Sequence, residues 1–562
     1  KGHDDTDEHK AGFLKRCGNN FNMMFGAATN KYKSSLQFLG KKKHRWITVA
    51  IIALSALIFT GISKIVPRDF VPNEDSGVIL GMMTLSPGTS LEKTDTLVKK
   101  IAHIAQNMPS VKNVLEITGV NFMSGVGSSY ATVMLKMDPW NERKVTANDI
   151  AAQLKQATDT IKDASFFFMG MPTLQGFGMA SGVSVQLQDR TGGDIGKFSD
   201  VANKFVEDLK KTGNVMMVMN TFDGNFPQKE IIADIPKIKE AGMTLGNVMQ
   251  TLQAYVGSMY VSNFNLYGKQ FRVMVQAGPE YRKSMNDISG IYVKTGSGEM
   301  APITEFITIK DITGPQSLSR FNMYSSMSLT IIPNYMKGKS TGDVIKSVDE
   351  LSKALPSGYS HEYSGISREE VESGNQTVLI FALSLIFVYL LLAALYESYI
   401  LPLAVIFSLP VGLAGVFIFV FIAMMSGTGI MNNIYVQISL IMLIGLLAKN
   451  AILIVEYAIQ RRQQGMSIID AAVNGAVARL RPILMTSFAF IAGLIPLALA
   501  SGAGAVGNKS IGISAIGGML FGTMIGVLVI PSLYIIFQTL QDKFSKSGLI
   551  NSNDEVINKQ KK

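Results

Sequence analysis

Apolar residues occur in runs long enough to cross a roughly 30 Å hydrocarbon core at 46–66, and then in quick succession at 377–395, 403–425, 434–459, 482–500 and 511–537. The joints between the runs alternate in character. Arg461, Arg462, Arg479 and Arg481 fall on the side that carries Lys41, Lys42, Lys43 and Arg45, whereas 426–433 and 501–510 are nearly uncharged. Basic residues gather on the cytoplasmic side of membrane helices, so the pattern predicts six transmembrane helices with both termini inside, in agreement with Lys559, Lys561 and Lys562.

Between the first two spans the periodicity is that of a water-soluble domain. A strand at 77–85 precedes a capping-box spacing of Thr89 and Glu92, and Leu97, Ile101, Ala105 and Met108 mark one helical face. Strands at 114–117 and 130–135 flank a glycine-rich loop. Ile150, Leu154, Ala157 and Ile161 mark a second helix before a strand at 166–169. Strand-helix-strand-strand-helix-strand is the ferredoxin-like, split βαβ order. The order begins again with strands at 183–187, 215–219 and 230–235 and a helix carrying Phe198, Ala202, Phe205 and Leu209. It is completed by 327–332, a helix at 341–354 and a strand at 361–363. Short strands and turns at 240–320 interrupt this second repeat.

The expected organisation is therefore a cytoplasmic linker with a surface helix (1–45), a transmembrane helix (46–66) and a first ferredoxin-like subdomain (67–181). A second subdomain (182–239 and 321–375) is split by an insertion (240–320). Five transmembrane helices (376–540) and a cytoplasmic tail (541–562) follow. The fold class is a polytopic α-helical membrane protein with a large α+β domain outside the membrane.

Composition agrees with this class: 47% of the 562 residues are hydrophobic and 17% charged. The net charge of +10 is explained by basic residues beside the apolar runs and at the termini, which argues against nucleic-acid binding. A single cysteine, Cys17, excludes an intrachain disulfide, and the five histidines have no metal-ligand spacing. No P-loop, Ser-His-Asp arrangement or paired-carboxylate motif is present, so the chain reads as a non-enzyme without a cofactor, driven by an ion gradient. It begins with Lys1 and has no leader-like opening, which reads as the middle of something longer.

One charge sits where a membrane helix can least easily hold it. Lys449 lies deep in the apolar 434–459 run, where an ammonium costs roughly 2.5–3.5 kcal/mol on insertion scales unless it meets a partner in a polar interior. Glu456 is two turns nearer the cytoplasm and reads as an interfacial charge. Thr486 and Ser487 either hydrogen-bond toward Lys449 or bond back to their own helix. The spans supply no carboxylate at the depth of Lys449, which predicts a partner from a segment this chain does not contain. In the outer domain, Phe166, Phe167, Phe168, Met169 and Met171, with Phe122 and Met123, form either plain core or a soft binding surface. The 31 methionines suit adaptable recognition.

Gly445-Leu446-Leu447-Ala448-Lys449-Asn450-Ala451-Ile452-Leu453-Ile454-Val455-Glu456, followed by Arg479-Leu480-Arg481-Pro482-Ile483-Leu484-Met485-Thr486-Ser487, resembles the paired signature of the resistance-nodulation-cell division (RND) multidrug efflux pumps. Phe70-Val71-Pro72-Asn73-Glu74-Asp75, Gly338-Lys339-Ser340-Thr341-Gly342, Ala393-Ala394-Leu395-Tyr396-Glu397-Ser398 and Gly502-Ala503-Gly504 extend the likeness over essentially the whole chain. It corresponds to the C-terminal half of such a pump, and the lysine points to the hydrophobe/amphiphile subfamily.

The resemblance implies proton-driven export of hydrophobic and amphiphilic drug-like small molecules from the inner membrane and periplasm of a Gram-negative cell. Lys449 would be the relay lysine, pairing with two intramembrane aspartates of the pump's N-terminal half, with Arg479 and Thr486 as further members of the proton path. Leu115, Ile117, Val120, Phe122, Phe167, Met169 and Met171 would line the substrate pocket, and the segment from Gly119 to Gly127 would be the switch loop. That loop lacks the arginine some members carry, and several pocket aromatics are replaced by aliphatic residues or Met. Residues 240–320 would dock onto an outer-membrane channel through a periplasmic adaptor protein, in a homotrimer. Two other readings are a proton-coupled protein-export or scaffold component of the same superfamily and a non-functional half-gene fragment.

Overall fold

The computed structural model describes residues 7–172, 182–220 and 222–560, with side chains over those ranges apart from 7–22, 336, 375 and 544–560. The side chain of Cys17, the last residues of the expected 67–181 domain and the terminal Lys561 and Lys562 lie outside the described residues. Two compact units are present: residues 222–318, and the remainder of the chain.

In the larger unit, the first sheet has the strand order Val111–Asn121, Gly125–Met137, Val78–Leu85, Ala164–Gly170, with every neighbouring pair antiparallel. Two amphipathic helices, Leu91–Gln106 and Ala147–Thr158, close one face of it. Val98, Ile101, Ala105, Ile150 and Leu154 pack on Ile79, Met83, Val133, Leu135 and Phe166 in one apolar core. Each such fully buried side chain contributes about 1.5–3 kcal/mol. Thr146 and Asp149 form a reciprocal capping box. The first helix is capped by Ser90 rather than Thr89: Ser90 Oγ accepts from the Lys93 amide, whereas the Thr89 hydroxyl turns back to the Ser86 carbonyl. The glycine-rich loop is largely strand, because pairing continues to Asn121 and Gly125 and leaves only residues 122–124 as the hairpin tip.

The second sheet places Val215–Asn220 beside Tyr324–Pro333, then Val183–Asp189, then Tyr359–Tyr363, again antiparallel throughout. The short Ser319–Phe321 strand also pairs with Tyr324–Pro333. Asp194 caps the Ile195–Lys211 helix, and Ser340 with Asp343 forms a capping box at the start of Thr341–Ser352.

Residues 222–318 have their own core of Ile238, Val248, Leu252, Ile291, Ile303 and Phe306. The strand expected at 230–235 as part of the second repeat is Phe226–Ala233 here. It pairs with Ile307–Gly314 inside this unit, so the insertion starts at Phe222 rather than at 240. The hairpin Met259–Leu266 with Lys269–Val275 is exposed along both strands.

Among the described residues, five helices are long and apolar enough to cross a membrane: Arg45–Ile65, Gly365–Tyr396, Pro402–Met425, Ile434–Gln463 and Ile468–Ala498. The run expected at 511–537 belongs to two helices, Ala505–Met524 and one beginning at Gly526, which meet at 53° and make a sixth span if counted as one. Glycine, beside the break, weakens helix continuity there. The Ala505–Met524 helix lies against Leu409–Met425 through glycines: a Cβ on Gly415 would stand 2.6 Å from the Gly517 carbonyl oxygen, and one on Gly517 would stand 2.8 Å from that of Gly415. Only hydrogen at both Cα positions allows backbones to approach so closely.

Candidate functional site

The Ile434–Gln463 helix starts at Asn433, which has two tasks. Its side-chain oxygen accepts from the Tyr435 and Val436 amides, capping the helix, and its amide nitrogen donates to Ser510 Oγ at 3.0 Å. Asn433 is fully buried, so this end of the helix is pinned to the Ala505–Met524 helix.

Four turns on, Lys449 is exposed and forms no ion pair among the described residues. Gly445, one turn earlier on the same face, is exposed too. Asn450 points the other way and is buried. Its amide nitrogen donates to Ser487 Oγ at 3.3 Å, and Thr523 Oγ1 donates to the same Ser487 oxygen at 2.9 Å. Three helices are thus stitched by one chain of hydrogen bonds beside the lysine.

Of the two hydroxyls left open by the sequence, Ser487 crosses to the lysine-bearing helix and Thr486 bonds back to its own, at the Ile483 carbonyl. Thr486 is exposed, one residue from Ser487, and therefore lies at the level of Lys449. Arg479 is placed farther away. Its guanidinium lies over the Tyr457 ring at 4.7 Å, and Arg461 lies over the same ring at 5.0 Å. Tyr457 is eight residues beyond Lys449, about 12 Å along the axis. Lys449 and Thr486 therefore share a level, and Arg479 belongs to a basic cluster two turns away. Thr523 had no signal in the sequence beyond being a hydroxyl in an apolar run.

Strand register arranges the soluble candidates in rows. Leu115 pairs with Met134, Met134 with Leu80, and Leu80 with Met169. One step along, Ile117, Thr132, Met82 and Phe167 are paired in the same order. Alternation along each strand puts both rows on the face away from the two covering helices. Phe166 belongs to the core yet, with Phe167, also lines a cleft of about 140 Å³ bounded by Met82, Thr84, Asn121, Met123, Met219 and Asn220. Leu115 and Phe122 are exposed, and Val120, Met169 and Met171 are half-buried. Gly119 adopts φ +89° at an irregularity in the hairpin, and Gly127 lies within the second strand. The cleft's polar rim of Thr84, Asn121 and Asn220 went unread because these residues converge only once the two sheets are formed. A roomier apolar hollow of about 380 Å³ within 222–318, bounded by Ile231, Met249, Leu252, Val256, Ile288 and Ile309, contains none of the motif residues.

A third cluster surrounds the segment after the first span. Thr341 Oγ1 lies 3.0 Å from Asp69 and 2.7 Å from Glu370. Burial pushes the Asp69 carboxyl up to about 6, against hydrogen bonds from Thr341 and the Phe70 amide that pull the other way. Burial also acts to raise Asp75. There the hydrogen bond from Arg143, two backbone amides and the guanidinium charge prevail, so the carboxyl lies below the usual range.

Long apolar helices, one of them carrying a lysine midway along it, and a two-sheet domain fit a polytopic membrane protein, and comparison with known proteins names the family. Residues 3–538 match the AcrB/AcrD/AcrF family, and the chain belongs to that family of RND efflux transporters. It is 34% identical over 528 residues to the toluene efflux pump membrane transporter TtgB of Pseudomonas putida, covering 92% of this chain and 49% of that protein. The multidrug/solvent efflux pump membrane transporter MepB of Pseudomonas putida is equally similar over the same shares. The multidrug resistance protein MdtF of Escherichia coli is 31% identical over 536 residues, 94% of this chain and 50% of that protein. The chain spans about half the length of these curated relatives.

Proposed function

We propose that this chain is the C-terminal half of a proton-driven exporter of hydrophobic and amphiphilic compounds. The observation that carries the reading is Lys449, an outward-facing ammonium midway along an apolar helix with no ion pair among the described residues. Such a charge is retained in a membrane where it pairs reversibly with a carboxylate. Intramembrane aspartates of the other half supply that carboxylate, and Thr486 and Arg479 line the path by which protons reach it. Protonation releases the lysine, the helices shift, and the outer domain exchanges access for release.

In this reading the bent pair is one span, giving six, and the two sheets are ferredoxin-like porter repeats in the periplasm of a Gram-negative cell. Substrates pass over the Leu115–Phe167 face, through the cleft lined by Phe167 and toward the hairpin tip. Residues 222–318 dock, through an adaptor protein, to an outer-membrane channel in a homotrimeric assembly. The names of the relatives, which include toluene and solvent pumps, support an apolar substrate class. The test is dye efflux and proton uptake in inverted vesicles carrying the whole transporter. Substrate-stimulated proton movement that disappears with Lys449→Ala is the expected result, and transport that persists in that variant would overturn the relay.

A further inference from the structure

The acidic segment after the first span has no part in the reading above, yet it joins the lysine-bearing helices to the soluble sheet. Its first residues are stitched to the start of the Ile434–Gln463 helix. The Asn432 amide donates to the Pro67 carbonyl at 3.0 Å, the Asp69 amide to the Asn432 carbonyl at 3.2 Å, and the Ile434 amide to the Phe70 carbonyl at 3.1 Å.

Two successive carboxylates then reach in different directions. Glu74 spans the first turn of the Ala505–Met524 helix, one oxygen accepting from the Gly507 amide at 2.7 Å and the other from the Val506 amide at 3.2 Å. That helix begins at Gly504 and has no side-chain cap of its own, so Glu74 satisfies orphan amides and meets the positive end of the helix dipole. Asp75 holds the soluble sheet. It accepts from Arg143 at 2.8 Å, from the Ala147 amide at the head of the Ala147–Thr158 helix at 3.1 Å, and from the Gly77 amide at 2.9 Å. Adjacent Cα atoms are about 3.8 Å apart across a trans peptide, so the two attachments have no slack between them.

The Ala505–Met524 helix is in turn tied to the lysine-bearing helix, by Asn433 to Ser510 and by Ser439 Oγ to the Ile511 carbonyl at 3.2 Å. A displacement at Lys449 therefore has a continuous hydrogen-bonded route to the sheet: lysine helix, Ala505–Met524 helix, Glu74, Asp75, Arg143.

We propose that Glu74 is a positioning residue that transmits movement of the Ala505–Met524 helix to the sheet built on Val78–Leu85, and so couples the proton step to substrate movement. The proposal rests on the transport reading. Its charge-assisted bonds are of the strong kind, and their loss slows coupled efflux by about tenfold or more.

The experiment uses the whole transporter in cells and vesicles. Glu74→Gln is expected to lower efflux by about tenfold or more at an unchanged amount of folded protein. Adding Ala505→Asp places an acid in the same helical turn without the link to the sheet, and is expected not to restore efflux. If Glu74→Gln folds poorly, Glu74→Asp, which keeps the charge on a shorter arm, must lower efflux at wild-type protein level. Spin labels at Lys112→Cys and Asn508→Cys, in a background where Cys17 and every other cysteine of the whole transporter are replaced by serine, report sheet-to-helix distances independently of transport. Glu74→Gln is expected to broaden their distribution. Efflux within about twofold of wild type in Glu74→Gln, full recovery on adding Ala505→Asp, or an unchanged label distribution would each overturn the proposal. A wild-type protein that expels nothing under a proton gradient sinks the transport reading instead, and the label distances still judge the link.

Discussion

Asn450 and Ser487 are joined across 3.3 Å, one residue along from Lys449 and on the opposite, buried face of its helix. The same Ser487 oxygen accepts from Thr523, so one small hydroxyl links three helices. Ser487→Ala leaves a buried amide and a buried hydroxyl without this partner. Interhelical hydrogen bonds in membranes average about 0.6 kcal/mol, so the loss is expected to be about 1 kcal/mol. Thermal unfolding in detergent checks it, and an unchanged midpoint would mean that the chain holds nothing together.

Lys449 separates folding from function. Its side chain is exposed in this chain and forms no ion pair among the described residues, so its removal takes nothing from the chain's own packing. Lys449→Ala is expected to reduce efflux in the whole transporter to background while the amount of folded protein stays at the wild-type level. Dye efflux and size-exclusion profiles read the two sides separately.

Arg143 is 2% exposed and pairs with Asp75, which is 24% exposed. Its guanidinium also stacks over Trp140 at 5.4 Å. Breaking a buried pair by removing one partner typically costs about 3–5 kcal/mol, and Arg143→Leu is expected at that level, reduced by whatever water reaches Asp75. Because the Asp75 carboxyl is held below its usual range, the pair's contribution is present above the unfolded-state pKa and is lost as pH falls through the lowered one. Acid unfolding of wild type and Arg143→Leu should therefore converge at low pH. Curves that stay parallel would count against the pair.

Asp69 has the opposite sign. Its carboxyl is raised from 3.8 to about 6, so the protonated form suits the folded state. Stability from this group is complete below the unfolded-state value and falls as pH rises through about 6. A shift of this size is equivalent to about 3 kcal/mol. Asp69→Asn, which still accepts from Thr341, is expected to remove that dependence and to stabilise the protein at pH above about 6. Unfolding midpoints measured on either side of that pH are the check, and a variant no more stable than wild type at high pH would refute it.

Much of this was legible because the physics is local. An apolar run must satisfy its backbone internally to cross a membrane, so five of the expected runs are single long helices, whereas the break beside Gly526 that divides 511–537 was not legible from length. Lys449 stood out by its cost. Helix starts were close because Ser, Thr and Asp cap through their own neighbours, and the shift from Thr89 to Ser90 is the one-residue ambiguity of adjacent hydroxyls. What was hidden depends on partners distant in sequence. Nothing within the 226–233 strand names its sheet, and only its pairing with 307–314 assigns it to the inserted unit. The row Leu115, Met134, Leu80, Met169 exists only through register across three strand pairs. The choice between Thr486 and Ser487 turned on which side of a helix faced Asn450.

The glycine seam between Gly415 and Gly517 has no room for a side chain on either helix. A methyl group on either glycine would meet the opposite carbonyl, so the close approach of Leu409–Met425 and Ala505–Met524 depends on both residues together, and a single alanine there would wedge two membrane-length helices apart.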